Sequence, residues 1–297
     1  IIKKYLSGIG AAYLNSNGVE LAGGDDCAVL ATKAKLLIST DTSVAGIHFL
    51  KSMQPHAIAY RAVSTALSDI AAMGGVPTAF NLSLVIPTFD PSWMKDFRKG
   101  LIKISKEHKI PLIGGDLVKG PLQISVTVLG QPGRKILLRS GAKHGDILCL
   151  SGVLGQAYMG LKEFKASSLI NAQTKPYLFP KAQVGYAQAI APYATAAIDV
   201  SDGIFQDLSH LIDQSNIGCE LDLVKVPVAD SLYQKQCLEF GDDYQLLFTV
   251  PPNKLALLQS KIKSMGKKCH TIGVMKGTRL KILNNPFKTI KNWDHFR

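Results

Sequence analysis

The chain of 297 residues is short of several things, and each shortage closes off a class of protein. Its five cysteines, Cys27, Cys149, Cys219, Cys237 and Cys269, never fall in a C-x-x-C spacing. That argues against a disulfide framework and against a thiolate zinc site, and fits reduced thiols. No apolar run reaches the length of a membrane span; Arg61 and Asp69 interrupt the longest candidate. There is no cationic, apolar leader, so a cytoplasmic location is expected and no membrane partner. Arginine is scarce beside lysine, and no zinc-finger, RNP or basic-zipper pattern appears. The net charge of +12 therefore reads as a solvated lysine surface, and no nucleic-acid partner is expected. Glutamate is scarce too, since 17 of the 22 acids are aspartate.

Those aspartates are what the chain has in place of glutamate, and they stand beside glycine, serine or threonine. The stretch 22–49 sets the pattern, with Gly23-Gly24-Asp25-Asp26 at its start and Ser39-Thr40-Asp41 further on. It reads as two strands, 27–32 and 35–40. Paired as a hairpin, they would place Asp26 beside Asp41. Two adjacent carboxylates repel unless a cation lies between them, and an Asp, Ser and Thr cluster suits a hard ion such as Mg²⁺. Two solvated turns would explain the same residues, because Asp next to Gly is ordinary turn chemistry. The pattern recurs at Asp116, at Asp199 and Asp202, and at Asp242 and Asp243, with Asp69 coming from a helix. Several such clusters in one chain favour metal-assisted polyphosphate chemistry, although Asp202 before Gly203 could simply cap the helix that follows.

The first half predicts a short helix at 1–14, the hairpin, a helix at 55–73 and a strand at 78–86. A helix at 91–108 follows, then a short strand at 110–113 ending in a Gly114-Gly115-Asp116 turn, and a strand at 122–129. Asp69 flanks the apolar stripe of Ile58, Ala62, Ala66, Ile70 and Met73 near its helix's end, where the dipole disfavours an acid. The polar run near 131–140 marks a boundary, giving domains 1–133 and 134–297. Beyond it, strands at 146–151, 196–198, 218–223, 244–250 and 270–274 alternate with helices from 156, at 180–190, to 215 and at 252–265. The fold class is α+β, an N-terminal mixed sheet with helices and a C-terminal α/β domain.

Common nucleotide motifs are missing. Residues 155–162 have the glycine spacing of a Walker A loop, but Leu161 stands where the lysine belongs. Ser201 lacks a G-x-S-x-G elbow, and the seven histidines show no metal spacing. Among them His48, after Ala45-Gly46, is the functional candidate.

Taken together, Gly24-Asp25-Asp26-Cys27-Ala28, Ser39-Thr40-Asp41-Thr42, Ala45-Gly46-Ile47-His48-Phe49 and Leu67-Ser68-Asp69-Ile70 resemble the thiamine-monophosphate kinase family. So do Ile113-Gly114-Gly115-Asp116, Arg139-Ser140-Gly141-Ala142, Asp199-Val200-Ser201-Asp202-Gly203 and Trp293-Asp294-His295-Phe296. The resemblance implies the two-domain aminoimidazole ribonucleotide synthetase-like fold, transfer of the ATP γ-phosphoryl group to thiamine phosphate, and a homodimer joined through N-terminal sheets. It also implies the nucleotide between the domains. By position, Asp26, Ser39, Thr40, Asp41, Asp69, Asp116, Asp199 and Asp202 would hold several Mg²⁺ ions, with Asp41 and Asp116 central. Gly115, Asp116, Arg139 and Ser201 would meet ATP; His48, Asp242 and Trp293 would meet thiamine phosphate. The chain departs from the family where Phe240-Gly241-Asp242-Asp243 replaces Gly-Gly-Glu-Asp, shortening the acid at 242 by a methylene. Leu117 and Lys119 likewise replace a usual Thr and Arg. The acceptor is a phosphate oxygen already ionised at neutral pH, so no general base is expected and no phospho-enzyme. A superfamily relative that uses ATP to activate an oxygen, a nucleic-acid-binding module carried by the +12 charge, and a two-metal hydrolase stand as alternatives.

Overall fold

The computed structural model describes residues 2–5, 8–21, 29–30 and 35–289. The chain divides into two compact units, one of Ile1–Ile70 and Gly75–Pro132, the other of Ala71–Gly74 and Gly133–Arg297.

The first unit runs α1 (Ile2–Tyr5), β1 (Val19–Leu21), β2 (Val29–Leu30), β3 (Leu37–Val44), α2 (Pro55–Ala72), β4 (Gly75–Ile86), α3 (Pro91–His108), β5 (Leu112–Lys119) and β6 (Gln123–Pro132). Its main sheet has the order β3-β6-β4-β5, antiparallel except for the parallel β4–β5 pair. Alternation along β4 and β6 buries Leu82, Leu84, Val126 and Val128, while Asn81, Ser83, Ser125 and Thr127 lie on the other face. On α2 the small residues Ala59, Ala62 and Ala66 are fully buried with Ile58 and Leu67, so the helix lies close on its neighbours. Helix α3 starts where the sequence signals it: Asp90 accepts the Ser92 N–H at 2.8 Å and proline stands at the first helical position.

Two expectations fail here. The hairpin of 27–32 with 35–40 does not form: Val29–Leu30 pairs with Val19–Leu21, and β3 pairs along its whole length with β6. The Gly114-Gly115-Asp116 turn is also absent, because those residues lie inside β5. Gly115, at φ 152°, comes so close to β4 that a Cβ there would sit 1.9 Å from the Leu82 carbonyl oxygen. Glycine thus serves close strand approach rather than a turn. Of the helix expected at 1–14, Ile2–Tyr5 is helical, and Ala11–Tyr13 forms a single 3-10 turn.

The second unit runs β7 (Ile147–Leu150), α4 (Gln156–Ser167), α5 (Lys175–Leu178), α6 (Val184–Ile190), β8 (Ala196–Val200), α7 (Ile204–Ser215), β9 (Cys219–Asp222), α8 (Gln234–Glu239), β10 (Gln245–Val250), α9 (Pro252–Ser264), β11 (His270–Met275) and β12 (Leu280–Leu283). Six strands form one sheet in the order β12-β9-β11-β7-β10-β8. Successive residues of its central strands enter opposite cores. Leu148, Leu150, Ile198 and Leu247 pack with Leu208 and Leu211 of α7. Cys149, Ala197, Leu246 and Phe248 pack with Tyr186 of α6 and with Leu258 and Ile262 of α9. A sheet covered on both faces has near-continuous apolar strands, as β8 and β10 do.

Candidate active site

The first acid cluster is built from the periods of a strand and a helix. Ser39 and Asp41 stand two apart on β3 and so share a face; Thr65 and Asp69 stand four apart on α2 and share a face too. Two strand steps and four helical steps advance by nearly the same distance, roughly 6 Å. The two pairs therefore meet rung by rung. The Ser39 hydroxyl donates to Asp69 Oδ2 at 2.5 Å, and the Thr65 hydroxyl donates to Asp41 Oδ2 at 2.6 Å. Thr40 faces the other way, with its Oγ1 2.9 Å from that of Thr127. Asp26 lies outside the described residues.

Asp116 is not brought to this cluster. Asp41 pairs in register with Val126, which pairs with Leu82, which pairs with Gly115. Asp116 belongs to the next row, with Ser83, Ser125 and Thr42, on the opposite face. The two acids are also on the two outer strands of a four-strand order, about 14 Å apart at ordinary strand spacing. Among the described residues, no group of three His, Cys, Asp or Glu side chains is placed to hold one metal ion. The donor set on β3 and α2 is nonetheless all oxygen, two carboxylates with hydroxyls between them. That chemistry fits a hard cation such as Mg²⁺ and not a soft one.

His48 closes the turn after β3, its Nδ1 accepting the Val44 N–H at 3.0 Å. The ring is thereby fixed with Nδ1 as acceptor, leaving the proton on Nε2 in the neutral form.

In the second unit, Asp199 is the next-to-last residue of β8, and Ser201 and Asp202 lie in the link to α7. Asp199 is buried; Ser201 and Asp202 are half-buried. The link is held by a residue that sequence reading passed over. Asp207, buried on α7, accepts the N–H groups of Ser201 and Asp202 at 3.0 and 3.1 Å. Burial, and then the charges of Asp199 and Asp202, push its carboxyl up to about 8. Asp202 does not cap α7: Gly203 is the cap residue, and Asp202 Oδ2 accepts instead from Gln206 Nε2 at 3.2 Å.

The turn before β10 lies beside this link. The Asp242 N–H donates to the Ser201 carbonyl at 2.8 Å, and the Tyr244 N–H to that of Val200 at 2.9 Å. Gly241 at φ 73° admits the approach, because a Cβ there would be 2.2 Å from the Ser201 carbonyl oxygen. Asp242 and Tyr244 also have positive φ, 63° and 50°, without being glycine, and the Tyr244 hydroxyl donates to Asp242 Oδ1 at 2.9 Å. Two such residues in one turn cost energy that the surroundings must supply, a condition that gathers at ligand sites. Asp243 points elsewhere, its carboxylate accepting the Gly155 and Ala157 N–H groups at the start of α4, at 2.5 and 3.0 Å. Arg139 is exposed, with its carbonyl accepting from Ser215 at 3.0 Å. Trp293 lies outside the described residues.

Thr65 and Asp207 are the residues that sequence reasoning missed. Both left a signal: Thr65 stands one helical turn before Asp69, and Asp207 is an acid inside the apolar stripe of Ile204, Leu208 and Leu211.

Residues 24–131 match the family model for the AIR synthase related protein, N-terminal domain, and residues 131–283 match that for its C-terminal domain. A thiamine-monophosphate kinase of Buchnera aphidicola subsp. Schizaphis graminum is 36% identical over 303 residues, covering 95% of this chain and 94% of the relative. Among solved structures, the thiamine-monophosphate kinase from Stenotrophomonas maltophilia K279a is similar with a TM-score of 0.86 at 31% identity, over 93% of this chain and 95% of that one. AaThiL complexed with AMPPCP and TMP is similar with a TM-score of 0.79 at 28% identity, over 100% of this chain and 98% of that one.

Proposed function

Since the chain belongs to the AIR synthase related family, and within it to the thiamine-monophosphate kinases, we propose how its own residues divide the work of phosphorylating thiamine phosphate with ATP. The reaction moves one phosphoryl group. An oxygen of the acceptor phosphate attacks the γ-phosphorus of ATP, the bond to the bridging oxygen breaks, and ADP leaves with thiamine diphosphate as the other product. The acceptor's second pKa is about 6, so at pH 7.5 it arrives ionised and needs no base. What the protein must supply is alignment and relief of repulsion between two anions.

The observation that carries this reading is the pairing of Ser39 with Asp69 and of Thr65 with Asp41, in a chain related along its whole length to such kinases. Mg²⁺, when bound, would offset the negative charge of the phosphates. In the first unit Asp41, Ser39 and Asp69 are the residues to hold it, with Asp26 from the same segment of sequence, while the Thr40 side chain faces Thr127 instead; Asp199 and Asp202 are the candidate ligands of the second unit. Gly115, Asp116, Arg139 and Ser201 are assigned to ATP, and His48, Asp242 and Trp293 to thiamine phosphate. The Asp207 carboxyl fixes the backbone that carries Ser201 and Asp202. The strained turn fixes Asp242.

The distance between Asp41 and Asp116 supports a homodimer. Strands β3 and β5 each have a single strand neighbour among the described residues. A two-fold arrangement that set β3 of each copy against β5 of the other would close eight strands and satisfy both edges. It would also set the β5 strand that carries Asp116 alongside the β3 strand that carries Asp41. Ile38 and Val118, exposed at 62% and 44% on those two edge strands, would be covered.

The reading is tested by incubating the protein with ATP, thiamine phosphate and Mg²⁺. One thiamine diphosphate per ADP is expected, with no free phosphate, and Asp41→Ala should abolish product. Release of inorganic phosphate without thiamine diphosphate would overturn it.

A further inference from the structure

Beside the strained turn lies a row of aromatic rings that none of the assigned roles uses. Phe240, the residue before Gly241, stands edge-on to Tyr158 of α4 with ring centres 5.5 Å apart and planes at 62°. Tyr158 is in turn 6.1 Å from Tyr233. The far end of the row already holds a cation, for the Lys162 ammonium lies 3.6 Å from the centre of the Tyr233 ring. The near end, Phe240 and Tyr158, is half-buried and adjoins Asp242, whose N–H is tied to the Ser201 carbonyl. Aromatic faces attract cations through the ring quadrupole, and quaternary nitrogen ligands are held this way. Thiamine phosphate carries such a nitrogen in its thiazolium ring.

We propose that Phe240, braced by Tyr158, is a specificity-determining contact for the cationic thiazolium ring of the acceptor. This rests on the thiamine phosphate reading above and deepens it. Asp242 then supplies a formal negative charge at one side of the positive ring and Phe240 a polarisable face at another. The two stand two residues apart on a turn whose positive-φ geometry holds them in fixed relation. An aromatic ring at 240, where the family has glycine, restores contact area beside an acid that is one methylene shorter than the family's glutamate.

The test is equilibrium binding, read apart from turnover, with two probes. One is thiamine phosphate; the other is its uncharged thiophene isostere, deazathiamine phosphate. Phe240→Leu keeps apolar volume and removes the ring face. It should weaken thiamine phosphate binding by about 5- to 30-fold, the range of a partly desolvated cation–π contact, and change isostere binding by less than about twofold. Phe240→Tyr and Phe240→Trp should restore the preference for the cation. Equal weakening of both probes would make Phe240 a packing residue and overturn the proposal, as would no weakening of either. Formation of thiamine diphosphate by the unaltered protein, measured separately, tests the underlying kinase reading. A kinase whose Phe240→Leu variant binds both probes normally would leave that reading intact while removing this inference.

Discussion

At Asp41 one neighbouring hydroxyl decides how the carboxylate is aimed. Thr65 donates to Oδ2 at 2.6 Å, and the other acceptor within reach of its hydroxyl among the described residues is the Ala62 carbonyl at 3.2 Å. Thr65→Val keeps the branched shape and removes the donor. A hydrogen bond to a charged group is worth about 1.5–3 kcal/mol, so kcat/KM should fall by about 10- to 100-fold with little change in Tm. Steady-state kinetics beside thermal unfolding would check this, and unchanged kinetics would remove Asp41's aim from the mechanism. The acids themselves were legible from composition, because aspartate among glycine and hydroxyl residues has few other uses in such number. Thr65 was not. A threonine on a buried helix face is ordinary, and only its position opposite a strand residue 24 places earlier gives it meaning.

Among the elements, helix α4 shows how a distant acid can define a terminus. Its N-terminal Gly155 offers no side-chain cap, and Asp243, from just before β10, accepts two of the N–H groups at that end. Burial pushes the Asp243 carboxyl up to about 7 against the pull of those N–H groups. The unfolded chain releases this proton near pH 4 and the folded chain near pH 7, so between them the folded state holds more protons. The contribution of Asp243 to stability therefore declines as pH rises from about 4 to about 7 and levels off above. Asp243→Asn turns an amide toward one of the N–H donors. It should lower Tm at every pH, by the equivalent of about 1–3 kcal/mol, and flatten that slope. Thermal unfolding across pH 4–9 reads both effects. Elements with length and a cap, such as α3 with Asp90, could be placed from sequence alone. Short ones could not: β12 has four residues, α8 has six, and both depend on contacts far away in the chain. Strand β5 was hidden because its two glycines serve a parallel partner that the local pattern does not name.

For the whole molecule, the proposed site is divided between two copies, and that division can be measured. Asp41→Ala and Asp116→Ala chains should each be inactive alone. Unfolded together and refolded, half the dimers are mixed, and each mixed dimer has one site with both acids. About a quarter of the native activity should return, by the symmetry of a two-fold pair. No recovery on mixing would place both acids' work within one chain. The two compact units divide between Pro132 and Gly133, inside the polar run at 131–140, while a homodimer was expected only from the family resemblance. The proposed second copy is argued from strand order and register, which alternation along a single strand cannot reveal.

The bare outer edges of β3 and β5 also bear on how the molecule comes into being. Among the described residues each of these strands has one strand neighbour, so a single copy presents an open edge on both, next to exposed Ile38 and Val118. Each such edge will accept any extended segment it meets, not only its proper counterpart. For the proposed dimer, assembly is then a race between correct mating and indiscriminate clumping, and the yield of active enzyme is expected to depend on how quickly newly made copies find one another.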